Sequence, residues 1–349
     1  MAIVNLKIRG SSAATALAVV AAGLAGCAGT AANSSSSGGG STVTLSLVAY
    51  STPQAAYEKL IAAFQKTDAG RNVKFTQSYG ASGSQSRAVE SGLKADIVAF
   101  SLEPDITRLV TDKLVDPGWN SDQYHGMITD SVAVIGVRKG NPKNIKTWDD
   151  LTRSGVQVLT PNPFTSGGAK WNILAGWGAK SNKGADAATG NAYLRALFAN
   201  VPVQDSSGRA SLQTFASGKG DAIISYENEA IFAQQNGQAI DYTVPDSTIL
   251  IENPIAVTSN SAHPTEAKAF LDYLHTPAAQ LIYAQNGYRP VVSGVGGRSF
   301  PTPPQLFTIK DLGGWSTVNK SLFATSGSVM ANIEQRLGVP TATSPSPSK

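Results

Sequence analysis

VTLSLVAYSTPQAAYEKLIAAFQKTDAGRNVKFTQSYG, residues 43–80, decides the fold. Its first eight residues are apolar or small almost throughout and read as a buried strand. Residues 53–67 then place Ala55, Leu60, Ala63 and Phe64 on an inward helical stripe. VKFTQSYG (73–80) returns to strand. The unit repeats: SRAVESGL (86–93) reads as a short helix, ADIVAF (95–100) as a third strand and EPDITRLVTDKL (103–114) as a third helix. Strands alternating with helices in this way predict a parallel α/β layer covered on both faces.

The pattern restarts after SVAVIGVRKG (131–140). A short helix is expected around 148–151, a strand over VQVLTPNP (156–163), and helices over WNILAGWGAK (171–180) and NAYLRALFAN (191–200). VPVQ (201–204) reads as a strand edge, 211–218 as a helix, and 221–237 as a strand running into a helix. A last part begins at 255–260, and residues 264–287 form one or two helices broken at Pro277. Two α/β modules of this size suggest ligand capture in a cleft between them. An open α/β sheet places its ligand at the carboxyl ends of its strands. Five strand-to-helix positions qualify: Ser51-Thr52, 81–84, 165–168, 206–208 and Tyr226.

The chain outside these modules has a different composition. Lys7 and Arg9 precede an apolar run over 11–26, the form of a bacterial secretory leader. That run is short of the roughly 20 residues a membrane span needs. It ends in Leu24-Ala25-Gly26-Cys27, which is similar to a lipobox, so residues 1–26 read as a signal peptide and Cys27 as a lipidated first residue. Cys27 is the only cysteine, which excludes a disulfide within the chain. Residues 27–42, rich in Ser, Gly and Ala, read as a flexible tether, and 336–349 as a disordered Pro/Ser tail. Hydrophobic residues make up 42 %, enough for ordinary cores. The net charge of +4 falls to +2 once Lys7 and Arg9 leave, and no basic cluster suggests nucleic acid.

The loops carry the chemistry. Gly80-Ala81-Ser82-Gly83-Ser84, Thr165-Ser166-Gly167-Gly168 and Asp205-Ser206-Ser207-Gly208 each precede a helix and hold almost no charge. The first turn of a helix has amides without internal partners, and the helix field favours a negative charge there. Serine hydroxyls add donors. One such loop is no more than a cap and a turn; three at equivalent positions point to shared anion binding by neutral donors. Arg87 and Arg209 lie just after two of the loops, as support for loop carbonyls or as exposed or paired side chains. No P-loop, HExxH or GxSxG is present. Glu227 and Glu229, two apart, do not share a helix face and read as partners of a helix dipole. Tyr50, Tyr79, Tyr226 and Tyr288 could supply phenolates to iron, but read better as cleft-wall or core aromatics. No catalytic residue, metal or cofactor is expected.

The chain resembles the sulfate-binding and thiosulfate-binding solute receptors of bacterial ABC importers. The resemblance is carried by RKGNPKNIKTWDDL (138–151) followed by GVQVLTPNPFTSGGAKWNILAGWG (155–178). YGASGSQSRAVESGLKADIV (79–98), VQDSSGRASLQTFASGKGDAIISYENEA (203–230) and FTIKDLGGWSTVNKSLF (307–323) extend it over about 43–335. It implies an α/β, type II periplasmic-binding fold: two domains, a ligand cleft between them, and crossings near 128–133 and 246–256. Domain I would be 43–130 plus 252–335, and domain II 131–251. It further implies a monomer, lipid-anchored on the extracytoplasmic face, that hands sulfate to permease subunits. Thiosulfate, molybdate and phosphate are alternative ligands, and a structural or adhesive lipoprotein is a remote one.

In that family a dehydrated sulfate is held by backbone N–H groups, serine hydroxyls and an indole N–H. Carried over, the donors are Ser82, the triplet Ser166, Gly167 and Gly168, and Gly208. Two departures stand out. Ser51 replaces an Asp (with Gln54 for an Arg), and Tyr226 stands where Trp is typical. The expected shell holds no carboxylate, which favours sulfate over protonated phosphate.

Overall fold

The computed structural model describes residues 42–341. The leader, Cys27, all but the last residue of the tether, and residues 342–349 lie outside the described residues.

β1 (Val43–Tyr50) pairs in parallel with β2 (Val73–Gly80) on one side and β3 (Ile97–Ala99) on the other. α1 (Gln54–Phe64) and α2 (Ser82–Glu90) join them, and α3 (Glu103–Thr111) follows. Leu45, Leu47 and Ala49 face one apolar cluster and Val48 the other, the period of two of a strand buried on both sides. α1 closes the first cluster with Ala56, Tyr57, Leu60, Ile61 and Phe64; Ala55 and Ala63 are only half-buried. Truncating Leu60, which is fully buried, to Ala costs about 2–5 kcal/mol, a large part of the stability of a typical domain.

The chain then enters β4 (Met127–Arg138) and builds a second module. It comprises β5 (Val158–Leu159), α4 (Gly167–Lys180), α5 (Ala187–Phe198), α6 (Gly208–Ala216), β6 (Ala222–Tyr226), α7 (Glu227–Gln235) and β7 (Ile240–Thr243). β8 (Ser247–Val257) leads back to α8 (Pro264–Leu274), α9 (Pro277–Gln285) and β9 (Arg289–Pro290). β10 (Gln305–Phe307), α10 (Gly314–Val318) and α11 (Val329–Leu337) complete the chain. The strand order is β2-β1-β3-β8-β4-β6-β5. β4 and β8 pair antiparallel from Met127↔Pro254 to Val132↔Leu250. Beyond that pairing β8 joins β3 and β4 joins β6, so these two strands carry the chain between the modules.

Two sequence expectations change. Residues 305–335, expected with the first domain, pack on the second module. Phe307, Leu312, Trp315, Phe323 and Met330 share one apolar cluster with Trp171, Leu174 and Leu194. Trp315 meets Trp171 edge to face at 4.8 Å, and Gln204 Nε2 donates to Glu334 Oε2 at 2.7 Å. Periodicity shows that a face is buried, not which layer covers it. α11 also runs to Leu337, two residues into the expected tail. Second, α2, α4 and α6 start at Ser82, Gly167 and Gly208, earlier than their apolar stripes suggest. Their first turns are short of large apolar residues, so the polar loops are themselves helix starts.

Candidate functional site

Four helices begin around one cavity. Their N-caps, Ala81, Ser166, Ser207 and Tyr226, all line it, beside Ser51 and Thr52 at the end of β1. The cavity admits the centre of a water-sized sphere over about 20 Å³. That exceeds the 10–15 Å³ or so that one water needs, and suits a ligand of few atoms. The first turns of α2, α4 and α6 contain no acid, so their positive ends are uncompensated and their leading N–H groups are available.

Serine capping settles where the hydroxyl protons go. Ser166 Oγ accepts from Ala169 N at 3.3 Å, and Ser207 Oγ from Ala210 N at 3.2 Å. With lone pairs engaged by their own helices, both hydroxyls keep a proton to donate. Ser82 is arranged differently. Its Oγ donates to Asp105 Oδ2 at 2.6 Å and accepts from Ser101 N at 2.9 Å. The hydroxyl is therefore committed, and what Ser82 offers is its backbone N–H. Burial pushes the Asp105 carboxyl up, against the pull of nearby Lys170 and the Ser82 hydrogen bond.

Tyr226 OH lies 2.7 Å from Ser101 Oγ. One of these hydroxyls donates to the other, and the second proton remains free. Burial pushes the Tyr226 phenol well above its ordinary range, so it stays protonated. The same cause raises Tyr50, Tyr79 and Tyr288. Ser101 also accepts Trp171 Nε1 at 2.7 Å and Asn253 Nδ2 at 3.0 Å on its carbonyl. It joins both modules, and the sequence reading missed it. The signal was present: Ser101 follows β3 as Ser51 follows β1.

The predicted residues do not all converge. Ser51, Ser82, Ser166, Gly168, Gly208 and Tyr226 line the cavity; Gly167 does not. A Cβ on Gly167 would stand 2.8 Å from both Leu102 Cδ2 and Ser101 Oγ, so glycine there lets the modules approach. A Cβ on Gly168 would stand 3.4 Å from Ser166 Oγ and 3.7 Å from Tyr226 OH, beside both donors. On Gly208 it would meet Thr52 Cγ2 at an ordinary 3.6 Å, so that position does not demand glycine. Arg209 Nη2 donates across the cleft to Thr52 O and, within its own module, to Glu229 Oε1, both at 2.7 Å, and its guanidinium lies 3.8 Å from the Phe232 ring centroid. Arg87 is not at this cavity but at a neighbouring one.

One expectation is overturned: the shell does hold a carboxylate. Glu229 lines the cavity, and its Oε2 is buried without a hydrogen-bond partner. Burial pushes its carboxyl up while Arg209 pulls it down. Two-residue spacing from Glu227 hid this, because the two acids point apart on α7: Glu227 pairs with Arg289 at 2.8 Å and Glu229 with Arg209. Among the described residues, no three His, Cys, Asp or Glu side chains are grouped to share a metal ion.

Comparison with known proteins bears on the family and the fold. A family model for bacterial extracellular solute-binding proteins matches residues 45–289. A sulfate-binding protein of Synechococcus elongatus is 43 % identical over 90 % of this chain and 93 % of its own. One from Escherichia coli K12 is 38 % identical over 78 % and 86 %. Among solved structures, the sulfate-binding protein SubI from Mycobacterium tuberculosis superposes with a TM-score of 0.79 at 44 % identity, covering 81 % of this chain and all of that one. The architecture is a type II periplasmic-binding fold.

Proposed function

Because the chain belongs to the sulfate/thiosulfate-binding group of the bacterial extracellular solute-binding proteins, we propose that it captures sulfate outside the cytoplasmic membrane and delivers it to an ABC permease. The observation that carries this reading is the convergence of uncharged donors. Ser166 and Ser207 keep hydroxyl protons, and α2, α4 and α6 aim acid-free starts at the same space. A buried dianion needs every oxygen paired. Donors fixed in helix starts are already oriented, so little ordering is lost on binding. The donors come from both modules, so the ion binds the closed arrangement better and shifts the population toward it. The protein performs no reaction on its ligand.

In this reading residues 43–130 with 252–290 form one domain and 131–251 with 305–337 the other. Ser82, through its N–H, Ser166, Gly168, Gly208 and Tyr226 contact sulfate, and Ser51 borders it. Gly167 allows closure, and Arg209 holds the Thr52 carbonyl. Cys27 carries the lipid that keeps the monomer at the membrane, which mass spectrometry of the native N-terminus tests: an unmodified chain starting elsewhere overturns the anchor. Thiosulfate and molybdate remain alternative cargoes. Glu229 favours hydrogen phosphate as a second reading, since an unpartnered carboxylate oxygen accepts the proton that phosphate carries and sulfate lacks. Calorimetric titration with sulfate, thiosulfate, molybdate and phosphate decides among them. Sulfate is expected to bind tightest, and phosphate binding more tightly would replace this reading with the second.

A further inference from the structure

Behind Ser82 and Ser166 lies a second cavity, about 160 Å³ against about 20 Å³ for the first. Its polar lining combines hydroxyls with four charged side chains. Arg87, Arg108 and Lys170 meet there around buried Asp105. These charges do not neutralise one another by contact. Asp105 spends Oδ2 on Ser82, and among the described residues no ion pair joins it to any of the three cations. Arg87 Nη2 reaches only Ser84 Oγ, at 3.3 Å. Arg108 Nη1 faces Glu90 at a loose 3.5 Å, while its Nε is buried with no hydrogen-bond partner. Lys170 Nζ donates to Asn319 Oδ1 at 3.1 Å and sits 5.2 Å from the Phe323 ring centroid. Burial and the nearby arginines lower the Lys170 pKa against the pull of Asp105.

Three cations with spare donors line one space, a lining suited to an outside anion. Arginine matches the oxygens of a tetrahedral head in pairs, and lysine adds a point charge. Beside these charges and the hydroxyls of Thr165, Ser166 and Thr325, the wall has an apolar part that includes Leu102, Pro163, Phe164 and Phe323. An inorganic ion would leave that wall uncovered. We propose that this cavity is a second binding site, for a small organic anion with a sulfate-ester, sulfonate or phosphate-ester head and an apolar substituent lying on Phe164 and Phe323. The first cavity has no room for such a substituent. This inference is independent of which inorganic ion the first cavity takes.

Titration of the full-length chain with phenyl sulfate, and separately with phenyl phosphate, tests it. Each is run with and without excess inorganic sulfate. Saturable binding that persists in excess sulfate is expected. Arg108→Gln and Lys170→Gln should each weaken it by about tenfold or more, the effect of one charge-assisted hydrogen bond. Arg108→Lys should retain part of it. Inorganic sulfate affinity should stay within about twofold in the Arg108→Gln variant, as expected of separate sites. The ranking of the two esters identifies the head. No saturable ester binding, competition by stoichiometric sulfate, or binding unchanged in both Gln variants would each overturn the proposal. Failure of sulfate itself to bind would instead count against the transport reading and leave the ester measurement interpretable.

Discussion

Two adjoining cavities share Ser166 in their walls, yet they are built on opposite principles. The first is narrow, and most of its polar lining is uncharged: hydroxyls and helix starts whose direction is fixed by capping bonds. The second is roomier and relies on three cations. The difference teaches how a protein can bury an anion without a counter-ion. Oriented dipoles act only where they converge, so the ligand must fit them. Charges act over a longer range and tolerate several shapes, but salt screens them. Glu229 and Arg209 are the exception at the first cavity, where one buried acid is balanced by one guanidinium.

That exception gives the largest expected effect. Arg209→Met removes the partner of a carboxylate whose side chain is only 1 % exposed, while Arg209 itself is 18 % exposed. Leaving such a charge unpaired costs about 3–5 kcal/mol. Urea denaturation should show that loss, together with weaker sulfate binding as Thr52 O loses its donor. A variant as stable as the parent would mean that Glu229 is already protonated and that the first cavity holds no charge at all, which would sharpen the contrast.

Tyr226→Phe comes next. It keeps the ring and removes a donor from the uncharged set. A hydrogen bond to a charged partner is worth about 1.5–3 kcal/mol, so sulfate affinity should drop roughly tenfold or more. Calorimetry on a folded variant measures this. Unchanged affinity would assign the ligand bond to Ser101 Oγ, its partner at 2.7 Å.

Ionic strength separates the cavities directly. Raising salt from about 0.05 to 0.3 M shortens the screening length from roughly 14 to 6 Å. Ester binding to the three cations should fall several-fold. Sulfate binding to buried, oriented dipoles should fall less. Equal slopes would erase the distinction.

How much of this was legible in the sequence follows from the same physics. The strand-helix alternation from Val43 to Thr111 was readable because apolar residues recur with a clear period. Ser166, Gly168 and Gly208 were readable because a Ser/Gly run before a helix has few other uses. The placement of 305–337 was not readable, since Phe307 and Trp315 reveal a buried face but not its partner. Ser101 and Glu229 escaped for another reason. Ser101 looks like any strand-end serine until Trp171 and Tyr226 arrive from the other module. Glu229 looks like a dipole partner until Arg209 is placed beside it. Both depend on contacts distant in sequence, across the cleft for Ser101 and between α6 and α7 for Glu229, which local sequence does not encode. The direction of the Ser82 proton is of the same kind, because Asp105 lies 23 positions away.

The smallest expected effect is therefore the most discriminating. Ser82 and Ser166 both stand at helix starts on the first cavity, and by sequence they are equivalent donors. The structure makes them unequal. Ser166 receives a bond from Ala169 N and retains its proton, so Ser166→Ala removes both a cap and a ligand donor. It should weaken sulfate binding about tenfold or more. Ser82 gives its proton to Asp105 and presents only its amide, which alanine preserves. Ser82→Ala should therefore change sulfate affinity by less than about threefold, well below the loss of a charge-assisted bond. It should still lower stability by about 1–3 kcal/mol, because Asp105 loses a donor and Ser101 N an acceptor in a buried place. Measuring affinity and unfolding on the same two variants separates the roles. If Ser82→Ala loses as much affinity as Ser166→Ala, then the Ser82 hydroxyl turns from Asp105 to the ligand on binding. The wall between the two cavities would then be a moving part rather than a fixed one.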